Sequence, residues 1–365
     1  MIAAPYRIRL RSLEIRDFRG IQHLELDFEG PNGQALDLAV LAGTNGCGKT
    51  SVLEAILAFL GRGARNSQPI SEGDVRFGAA EFQLRGEVDF AVPVPDGDSA
   101  AYVVRSSQPM DLGWASHGVR GPQAPTATAS LAQLETEYYS AQRLPLLTDQ
   151  LAQVAQITKG PRNEMLRLAD LQNRLNSAYN RQLRSSARPS GAPVVVAPFV
   201  RMQRWWRHFN PTTDLDVIPR SNDPGSGDVV IVRDAGREVP LDITSLTMAC
   251  ALAPSRPDIP SMVTMDRLSS GQLGILAFAG PIIFRDQPPD IVLIDEPEQH
   301  LHVRWQREIL GALRALSPAT QYIIATHSEE ILDSALSYER FLLGTDDDPR
   351  AALADSDARR AGDAE

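Results

Sequence analysis

The stretch LDLAVLAGTNGCGKTSVLEAILAFLG, residues 36–61, decides the fold of this chain. Its first apolar run is too short for a helix and predicts a buried strand, whereas its second half predicts an amphipathic helix. The loop between them fits the pattern G-x-x-x-x-G-K-[ST] through Gly43, Gly48, Lys49 and Thr50. A strand before this motif and a helix after it are the context that the motif requires, so we predict a phosphate-binding loop.

The chemistry of this loop follows from its residue types. Glycines allow backbone N–H groups to curl around phosphate oxygens, and a helix N-terminus adds partial positive charge. We expect Lys49 to reach the outer phosphates and Thr50 to ligate magnesium, while Cys47 is interpreted as a small residue in a variable position. The residues predicted to bind the nucleotide here are Gly43, Asn45, Gly46, Gly48, Lys49, Thr50 and Ser51.

A second motif, DIVLIDEPEQH, is a hydrophobic strand that ends in two acids, Asp295 and Glu296. At the carboxyl end of a parallel strand such acids lie beside a phosphate loop. We predict that Asp295 holds magnesium, directly or through water. Glu296 is then the general base that polarises the attacking water.

Two further motifs follow the same logic. QYIIATHSEEIL puts His327 at the end of another apolar strand, where a neighbouring strand would direct it at the same site, although a lone histidine is often structural. LSSGQ, residues 268–272, precedes a helix, and its small residues would expose N–H groups to an anion. Taken alone, LSSGQ is more typical of a serine-rich N-cap.

Composition restricts the partners and the compartment. The formal net charge of −10 argues against uniform phosphate binding, so any nucleic-acid surface must be local. No apolar run is long enough to predict a membrane span, and the N-terminus lacks a secretory apolar segment. The two cysteines, Cys47 and Cys250, argue against a disulfide scaffold. We therefore expect a cytoplasmic protein without membrane contacts.

A local basic patch extends from Lys159 to Arg207, a segment that contains ten basic residues and two acids. Its C-terminal part contains arginines three residues apart beside two tryptophans: Arg201, Arg204, Arg207, Trp205 and Trp206. One interpretation is a DNA, RNA or partner surface, because arginine binds phosphates and aromatic rings stack on bases. The preferred one is a solvated arginine face over a tryptophan-anchored core, because arginine is abundant throughout the chain.

The order of predicted elements indicates an α/β protein. Alternating strands begin the chain, further strands are predicted at 81–90 and 101–107, and residues 91–130 are predominantly loop-like. A helix is predicted over 198–209, followed by strands around a Pro/Gly turn. From residue 268 helices and strands alternate, which predicts a parallel sheet with crossover helices.

Together these motifs resemble ABC-type ATPases, in which phosphate loop, LSSGQ, DEP and THS follow in this order. The N-terminal IRDFRGIQHLELDF resembles the RecF/SMC branch. DEPEQHLH and ATHSEEIL are more similar to OLD-type AAA-family ATPases, many of them found in bacterial antiphage systems. The resemblance implies a P-loop ABC-ATPase head with a mixed central sheet, an antiparallel N-terminal subsheet and a helical insertion.

The resemblance also implies a head-to-tail homodimer that holds ATP and Mg2+ between the phosphate loop of one subunit and LSSGQ of the other. Ser269, Gly271 and Gln272 would then contact the nucleotide across the interface. The sequence departs from the family where the D-loop aspartate is expected, since His300-Leu301-His302 stands there. Those imidazoles are interpreted as facing the dimer seam rather than as metal ligands, because no third ligand is evident.

Two more residues enter through the resemblance. Gln142, in YYSAQR, resembles the Q-loop glutamine that reaches magnesium and water, with Gln83 as a weaker rival. Arg19, in DFRG, matches a basic position that lies near the nucleotide in relatives. A surface arginine in a hairpin is an equally consistent interpretation of Arg19.

From these motifs we expect an ATPase lobe at 1–144, a helical insertion at 145–210, the remaining ATPase core at 211–344 and a disordered acidic tail at 345–365. The expected function is Mg-dependent ATP hydrolysis that senses or regulates a separate effector, a nuclease or toxin, in antiphage defence. The effector is expected to be separate because the chain ends soon after THSEEIL. The alternative is a RecF-like DNA-repair ATPase that binds DNA in an ATP-dependent way, and assembly beyond a dimer stays open.

Overall fold

The computed structural model forms two compact units, residues 1–142 with 288–365, and residues 143–287. The residues it describes are 8–60, 72–93, 101–105, 110–115, 118–120, 136–139, 171, 174, 175, 177, 178, 198–218, 229–234, 262–264, 268–285, 287–299 and 301–344. The predicted acidic tail and most of the predicted helical insertion lie outside these residues.

A parallel sheet forms the centre of the first unit. Its strands are β3 (Leu38–Ala42), β8 (Thr136–Tyr139), β12 (Ile291–Asp295), β13 (Gln321–Thr326) and β14 (Arg340–Leu342). They lie in the order β14-β3-β13-β12-β8, and each described pair runs parallel. β3, β12 and β13 are buried along their whole length, which explains their nearly continuous apolar sequences. The predicted parallel sheet is therefore confirmed.

An antiparallel sheet makes up the other layer of this unit. Its strands are β1 (Ile8–Phe18), β2 (Ile21–Asp27), β4 (Glu81–Pro93), β5 (Ala101–Arg105), β6 (Met110–Ala115) and β7 (Gly118–Arg120). β6 and β7 fall within the stretch 91–130 predicted as loop, so that prediction is wrong for them. Pairing decides their structure, because the long strand β4 offers β6 a partner edge that local residue preferences cannot reveal.

Helix α1 (Lys49–Phe59) contacts β1 and β4 of the antiparallel sheet and β12 and β13 of the parallel sheet. Its apolar residues belong to one buried cluster with residues of both sheets. At Gly86 on β4 an added Cβ would lie 2.4 Å from the Ser12 carbonyl oxygen and 3.0 Å from the Phe59 ring. Packing on both sides thus fixes the first turn of α1, where Lys49 and Thr50 lie.

A buried polar side chain also joins the two sheets. The Gln321 side chain, at the start of β13, accepts a hydrogen bond from Leu10 N at 2.7 Å. Its amide group donates to the carbonyl oxygens of Leu10 and Leu36, at 2.8 and 2.9 Å. Because Gln321 is fully buried, these bonds are needed to offset the loss of water, and they fix where β13 begins.

Two helices complete the crossover connections of the first unit. Helix α4 (Val303–Leu316) joins β12 to β13, and helix α5 (Glu329–Ser334) follows β13. Short 3-10 turns occur at Glu72–Asp74 and Ser337–Glu339. Within the described part of the chain, no helix has the combination of length and apolarity that a membrane crossing requires.

The second unit contains helix α2 (Pro198–Phe209), strands β9 (Thr213–Ile218), β10 (Val229–Asp234) and β11 (Met262–Thr264), and helix α3 (Ser270–Ile283). The three strands form an antiparallel sheet in the order β11-β10-β9. The predicted helix over 198–209 and the strands around the Pro/Gly turn are confirmed.

Candidate functional site

Three of the predicted motifs lie along one edge of the parallel sheet. β13 lies between β3 and β12, and the carboxyl ends of these strands lead directly to Gly43, His327 and Glu296. Ligands of open α/β sheets bind at this carboxyl edge. Neighbouring strands therefore bring the phosphate loop, the DEP acids and the THS histidine together.

The backbone of the phosphate loop requires glycine. Gly46 and Gly48 have φ of +82° and +98°, in the left-handed region that side-chain-bearing residues rarely adopt. At Gly43 an added Cβ would lie 2.0 Å from the Leu343 carbonyl oxygen. α1 begins directly after Gly48, and this N-cap glycine has no side chain with which to cap the first N–H groups. This cradle of small residues at a helix start fits a triphosphate.

Lys49 is buried at the mouth of this loop, with 4% of the residue exposed. Its ammonium donates to the carbonyl oxygens of Gly43 and Thr44, both at 2.9 Å. It also lies 3.3 Å from His327 Nδ1 and 3.6 Å from Cys47 Sγ. Polar partners of this kind are what a buried ammonium requires, and they hold the charge where phosphate oxygens would arrive.

Thr50 and Asp295 connect the phosphate loop to the DEP motif. The Thr50 hydroxyl donates to Asp295 Oδ2 at 2.8 Å, and Asp295 is buried at the end of β12. A hydroxyl and a carboxylate are hard oxygen ligands of the kind that Mg2+ prefers. The donor set therefore fits a magnesium ion next to a nucleotide, and magnesium binding by these two residues stays a prediction.

Glu296 has an unusual backbone. Its φ of +48° lies in the left-handed region, where a non-glycine residue costs about 1–3 kcal/mol and is found at functional sites. A hydrogen bond from Glu296 N to the Ala325 carbonyl oxygen, at 2.8 Å, holds this turn. The carboxylate accepts a hydrogen bond from Gln299 Nε2 and is 29% exposed, which leaves it open to a water molecule.

His327 lies between the loop lysine and the candidate base. Its Nδ1 faces the Lys49 ammonium, and its Nε2 is 3.6 Å from Glu296 Oε1. Because an ammonium can only donate, Nδ1 must accept, which assigns the ring proton of the neutral imidazole to Nε2. The N–H edge of His327 thus faces the Glu296 carboxylate.

Glu298 was missed by sequence reasoning, although it stands in the same DEPEQ string as the two predicted acids. Its Oε1 accepts from His327 N at 2.6 Å, and its Oε2 accepts from the Thr326 hydroxyl at 2.7 Å. The available signal was a third acid two positions after a strand-ending acid pair. Spacing alone could not reveal that this carboxylate turns toward the neighbouring strand.

Arg19 binds two carboxylates of its own unit. Its Nε donates to Asp74 Oδ1 at 2.8 Å, and its guanidinium also pairs with Glu54 on α1. The side chain therefore connects the β1–β2 turn to α1 and to the short 3-10 turn at Glu72–Asp74. Contact with a nucleotide stays a prediction for Arg19.

The two glutamines predicted as Q-loop candidates differ in position. Gln142 lies outside the described residues, three positions after the end of β8, which is the strand next to β12. Gln83 is exposed near the start of β4. β8 thus leads toward the same carboxyl edge as the DEP strand, whereas Gln83 belongs to the antiparallel sheet.

In the second unit, LSSGQ forms the start of α3. Ser269 is the N-cap, and its hydroxyl oxygen accepts from Gln272 N at 3.2 Å. The Gln272 side chain accepts in return from Ser269 N at 3.1 Å and donates to Asn210 Oδ1 at 3.4 Å. Ser269 is exposed and Gly271 is buried. This capping box satisfies two N–H groups internally.

Of the two histidines that follow the DEP motif, only His302 is among the described residues. His302 is the exposed N-cap of α4, and its Nδ1 accepts from Arg304 N at 3.2 Å. His300 lies outside the described residues. His302 thus has a capping role, and the predicted location at a dimer seam stays a prediction for both histidines.

The two tryptophans of the basic patch belong to the core. Trp205 and Trp206 are buried, and their indole N–H groups donate to Ile275 O at 2.7 Å and to Thr213 Oγ1 at 3.0 Å. Arg207, on the same helix, pairs with Asp214. The buried rings are not available for stacking on bases. Of the patch residues before α2, Arg174 alone is among those described.

Two family models match this chain. One, described as "AAA domain, putative AbiEii toxin, Type IV TA system", matches residues 262–333, and another, described as "AAA domain", matches residues 12–180. The first match contains LSSGQ, DEP and THS, and the second contains the phosphate loop. The resemblance to AAA-family ATPases is therefore confirmed.

Curated relatives match over shorter segments. Septu protein PtuA of Bacillus thuringiensis is 36% identical over 58 residues, 16% of this chain and 15% of that protein. Retron Vc95 probable ATPase of Vibrio cholerae serotype O1 biovar El Tor is 33% identical over 88 residues, 21% and 17% of the two chains. RecF of Rhizobium leguminosarum bv. trifolii (strain WSM2304) is 40% identical over 104 residues, 26% and 25%. The chain thus matches a quarter or less of each relative.

The fold has a solved counterpart. An SMC head, crystallised with the C-terminal winged-helix domain of ScpA, aligns with a TM-score of 0.51 and 15% identity over 89% of this chain and 92% of that one. The predicted fold class, a P-loop ATPase head with a mixed central sheet and an antiparallel N-terminal subsheet, is confirmed as a P-loop ATPase head, and the described strand pairs of its central sheet all run parallel. The chain combines this fold with two segments that match AAA-domain models.

Proposed function

We propose that this chain is a Mg2+-dependent ATPase that hydrolyses ATP between two head-to-tail copies of itself. The observation that carries the proposal is the 2.8 Å hydrogen bond between Thr50 and Asp295, which unites a phosphate loop and a magnesium-type acid in one site. Glu296 and His327 lie at the same edge of the sheet, 3.6 Å apart. These are the parts that phosphoryl transfer to water requires.

Each side chain then has a defined task. The N–H groups at the start of α1 and the Lys49 ammonium bind the phosphates, and this compensates their negative charge. Thr50 and Asp295 would hold the magnesium ion, which supplies further charge neutralisation when bound. Glu296 accepts the proton of the attacking water, and the Nε2–H edge of His327 orients its carboxylate.

The dimer rests on the resemblance to ABC-type ATPases and on the exposed N-cap serine of LSSGQ. In the closed state Ser269, Gly271 and Gln272 of one subunit contact the nucleotide held by the other. ATP binds the closed state more tightly than the open state and so shifts the population toward it. Hydrolysis removes this preference and releases the two heads.

The biological role that we propose is the regulation of a separate effector, a nuclease or toxin, in antiphage defence. Support comes from the similarity to a Septu protein and a retron ATPase, and from a matching model described with a toxin. Co-purification with the product of an adjacent gene tests this role. Protection of infected cells that express this chain alone, without a partner gene, would contradict it.

A RecF-like repair role is the second candidate, favoured by 40% identity to a RecF protein over 104 residues. The discriminating measurement is binding to gapped DNA with and without ATP, in the absence of other proteins. ATP-dependent binding supports the repair role, and the absence of binding at low salt supports the effector role.

The Glu296→Gln variant tests the reaction itself. It keeps the shape of the side chain but removes the base, so ATP binding should persist while hydrolysis falls by about a hundredfold or more. We also expect a stable ATP-bound dimer in size-exclusion chromatography with light scattering. Glu308→Gln, which removes a partly exposed carboxylate of α4 that pairs with Arg304, is the control. Normal hydrolysis by Glu296→Gln would refute the assigned base.

A further inference from the structure

We propose that Glu298 is a positioning residue that sets the location of His327 and thereby the imidazole edge presented to Glu296. This inference rests on the proposed ATP hydrolysis, and it adds a residue that neither the motif pattern nor the resemblance singled out. Glu298 belongs to the segment after β12, whereas His327 follows β13. One carboxylate therefore connects the ends of two neighbouring strands.

Glu298 accepts a pair of hydrogen bonds from the end of β13. Its two oxygens are used separately, Oε1 by the backbone N–H of His327 at 2.6 Å and Oε2 by the Thr326 hydroxyl at 2.7 Å. Bonds to an ionised acceptor are about twice as strong as neutral ones. Thr326 is fully buried, so its hydroxyl needs a partner in the protein.

These bonds also fix the direction of the Thr326 hydroxyl. Because it donates to Glu298, its oxygen is available to accept from Ser328 N, at 3.0 Å. The Ser328 hydroxyl in turn donates to Gln306 Oε1 at 2.7 Å. Residues 326–328 are thus held by side chains from the segment that follows the DEP acids, and linked hydrogen bonds of this kind reinforce one another.

The position of the imidazole depends on the same bonds. With its backbone N–H fixed by Glu298, His327 presents Nδ1 to Lys49 at 3.3 Å and Nε2 to Glu296 at 3.6 Å. Without the carboxylate, the His327 N–H loses its partner and the turn is free to move. A displacement of about 1 Å from a productive geometry can reduce a rate by about a hundredfold.

The test compares ATP hydrolysis by a graded set of variants. In Glu298→Ala we expect kcat to fall by about tenfold to a hundredfold while KM for ATP changes by less than about threefold, because nucleotide contacts remain. Glu298→Gln should retain more activity, since its amide oxygen can accept from His327 N and its amide group can donate to Thr326. Glu308→Gln is the matched control, because it alters a partly exposed carboxylate outside this contact set.

A second readout reports on His327 directly and needs no nucleotide. Its imidazole resonance, one of six from histidines, is identified by its loss in His327→Gln and titrated by NMR. We expect Glu298→Ala to move this resonance and its pH midpoint, Glu298→Gln to move them less, and Glu308→Gln to leave them unchanged. A resonance that stays in place in Glu298→Ala overturns the inference.

The possible failures can be told apart. If the wild type does not hydrolyse ATP, the proposed function is wrong, and the imidazole resonance still decides the role of Glu298. If the wild type is active and Glu298→Ala has normal kcat, the inference alone is wrong. Should Glu298→Ala not fold, Thr326→Val, which has a similar shape but cannot donate to Glu298, is measured in its place and must lower kcat and move the same resonance.

Discussion

Two helix N-termini in this molecule were predicted to bind phosphate, and they are built in opposite ways. At α1 the N-cap is Gly48, in the left-handed region, and it has no side chain that could take up the first N–H groups. At α3 the N-cap Ser269 and Gln272 form a capping box and satisfy each other. The start of α1 is therefore prepared for an external anion, whereas the start of α3 is stable without one.

Small residues precede both helices, yet the free energy of binding a phosphate is expected to differ between them. A phosphate at α1 gains uncapped N–H groups and a buried ammonium. A phosphate at α3 must compete with the Ser269 hydroxyl for Gln272 N, a bond of 3.2 Å. In the proposed dimer, α1 would supply most of the binding free energy and α3 would respond to the nucleotide already bound.

The largest effect is expected at α1. Lys49→Ala should abolish nucleotide binding, because it removes the buried ammonium that faces the phosphate site. Lys49→Met, which keeps an unbranched stem, should also lose binding, and this separates charge from packing. Isothermal titration with ATP and Mg2+ measures both variants, and unfolding curves verify that they are folded. Wild-type affinity for ATP in Lys49→Met would contradict this prediction, since phosphate binding at α1 would then not depend on the Lys49 ammonium.

At α3 we expect a smaller effect that separates capping from phosphate contact. Ser269→Asp keeps a strong N-cap but places a negative charge at the helix start, so stability should persist while hydrolysis falls by at least about tenfold. Ser269→Ala should lower the free energy of unfolding by about 1 kcal/mol. ATPase assays and urea unfolding measure the two properties. Full activity of Ser269→Asp would show that this helix start does not meet phosphate.

The smallest effect is expected at β14, which pairs with the strand that leads into the phosphate loop. β14 pairs with β3, and the buried Glu339 precedes it, with Leu336 N donating to its carboxylate at 2.8 Å. Burial raises the pKa of Glu339 above its ordinary range, against the hydrogen bond from Leu336 and the charge of Arg314. The folded state therefore binds more protons than the unfolded state between the two pKa values. Stability from this group is full below the unfolded pKa and is lost as pH rises through the folded pKa.

Glu339→Gln should remove this dependence, because an amide does not titrate. Urea unfolding of both proteins from about pH 4 to about pH 7 should give curves that diverge, with the wild type relatively more stable at the acidic end. Parallel curves would show that burial does not favour the protonated form of Glu339.

The sequence predicted the local parts of the site well because they depend on neighbouring residues. The phosphate loop needs a strand, glycines and a helix in succession, and residues 36–61 provide them. The parallel sheet followed from alternating helices and strands after residue 268. In the same way, the helix that carries Trp205 and Trp206 was predicted from its periodicity.

Features that depend on contacts between distant segments were not predictable. β6 pairs with β4 and β7 pairs with β6, and Glu298 acts on residues 28 and 29 positions away. Arg19 pairs with Glu54 and Asp74 through the folding of three separate segments. In each case the structure depends on a partner that is distant in sequence and that folding brings close.

Gln321 has one more consequence. It ties the first residue of β13 to Leu10 and Leu36, while Glu298 holds Thr326, the last residue of the strand, and His327 just beyond it. A strand held at both ends cannot slip in register, since each one-residue slip would also exchange its two faces. Any excursion of His327 during a reaction cycle must therefore come from rotation about the bonds of residues 326–328, with the strand itself as a stationary pivot.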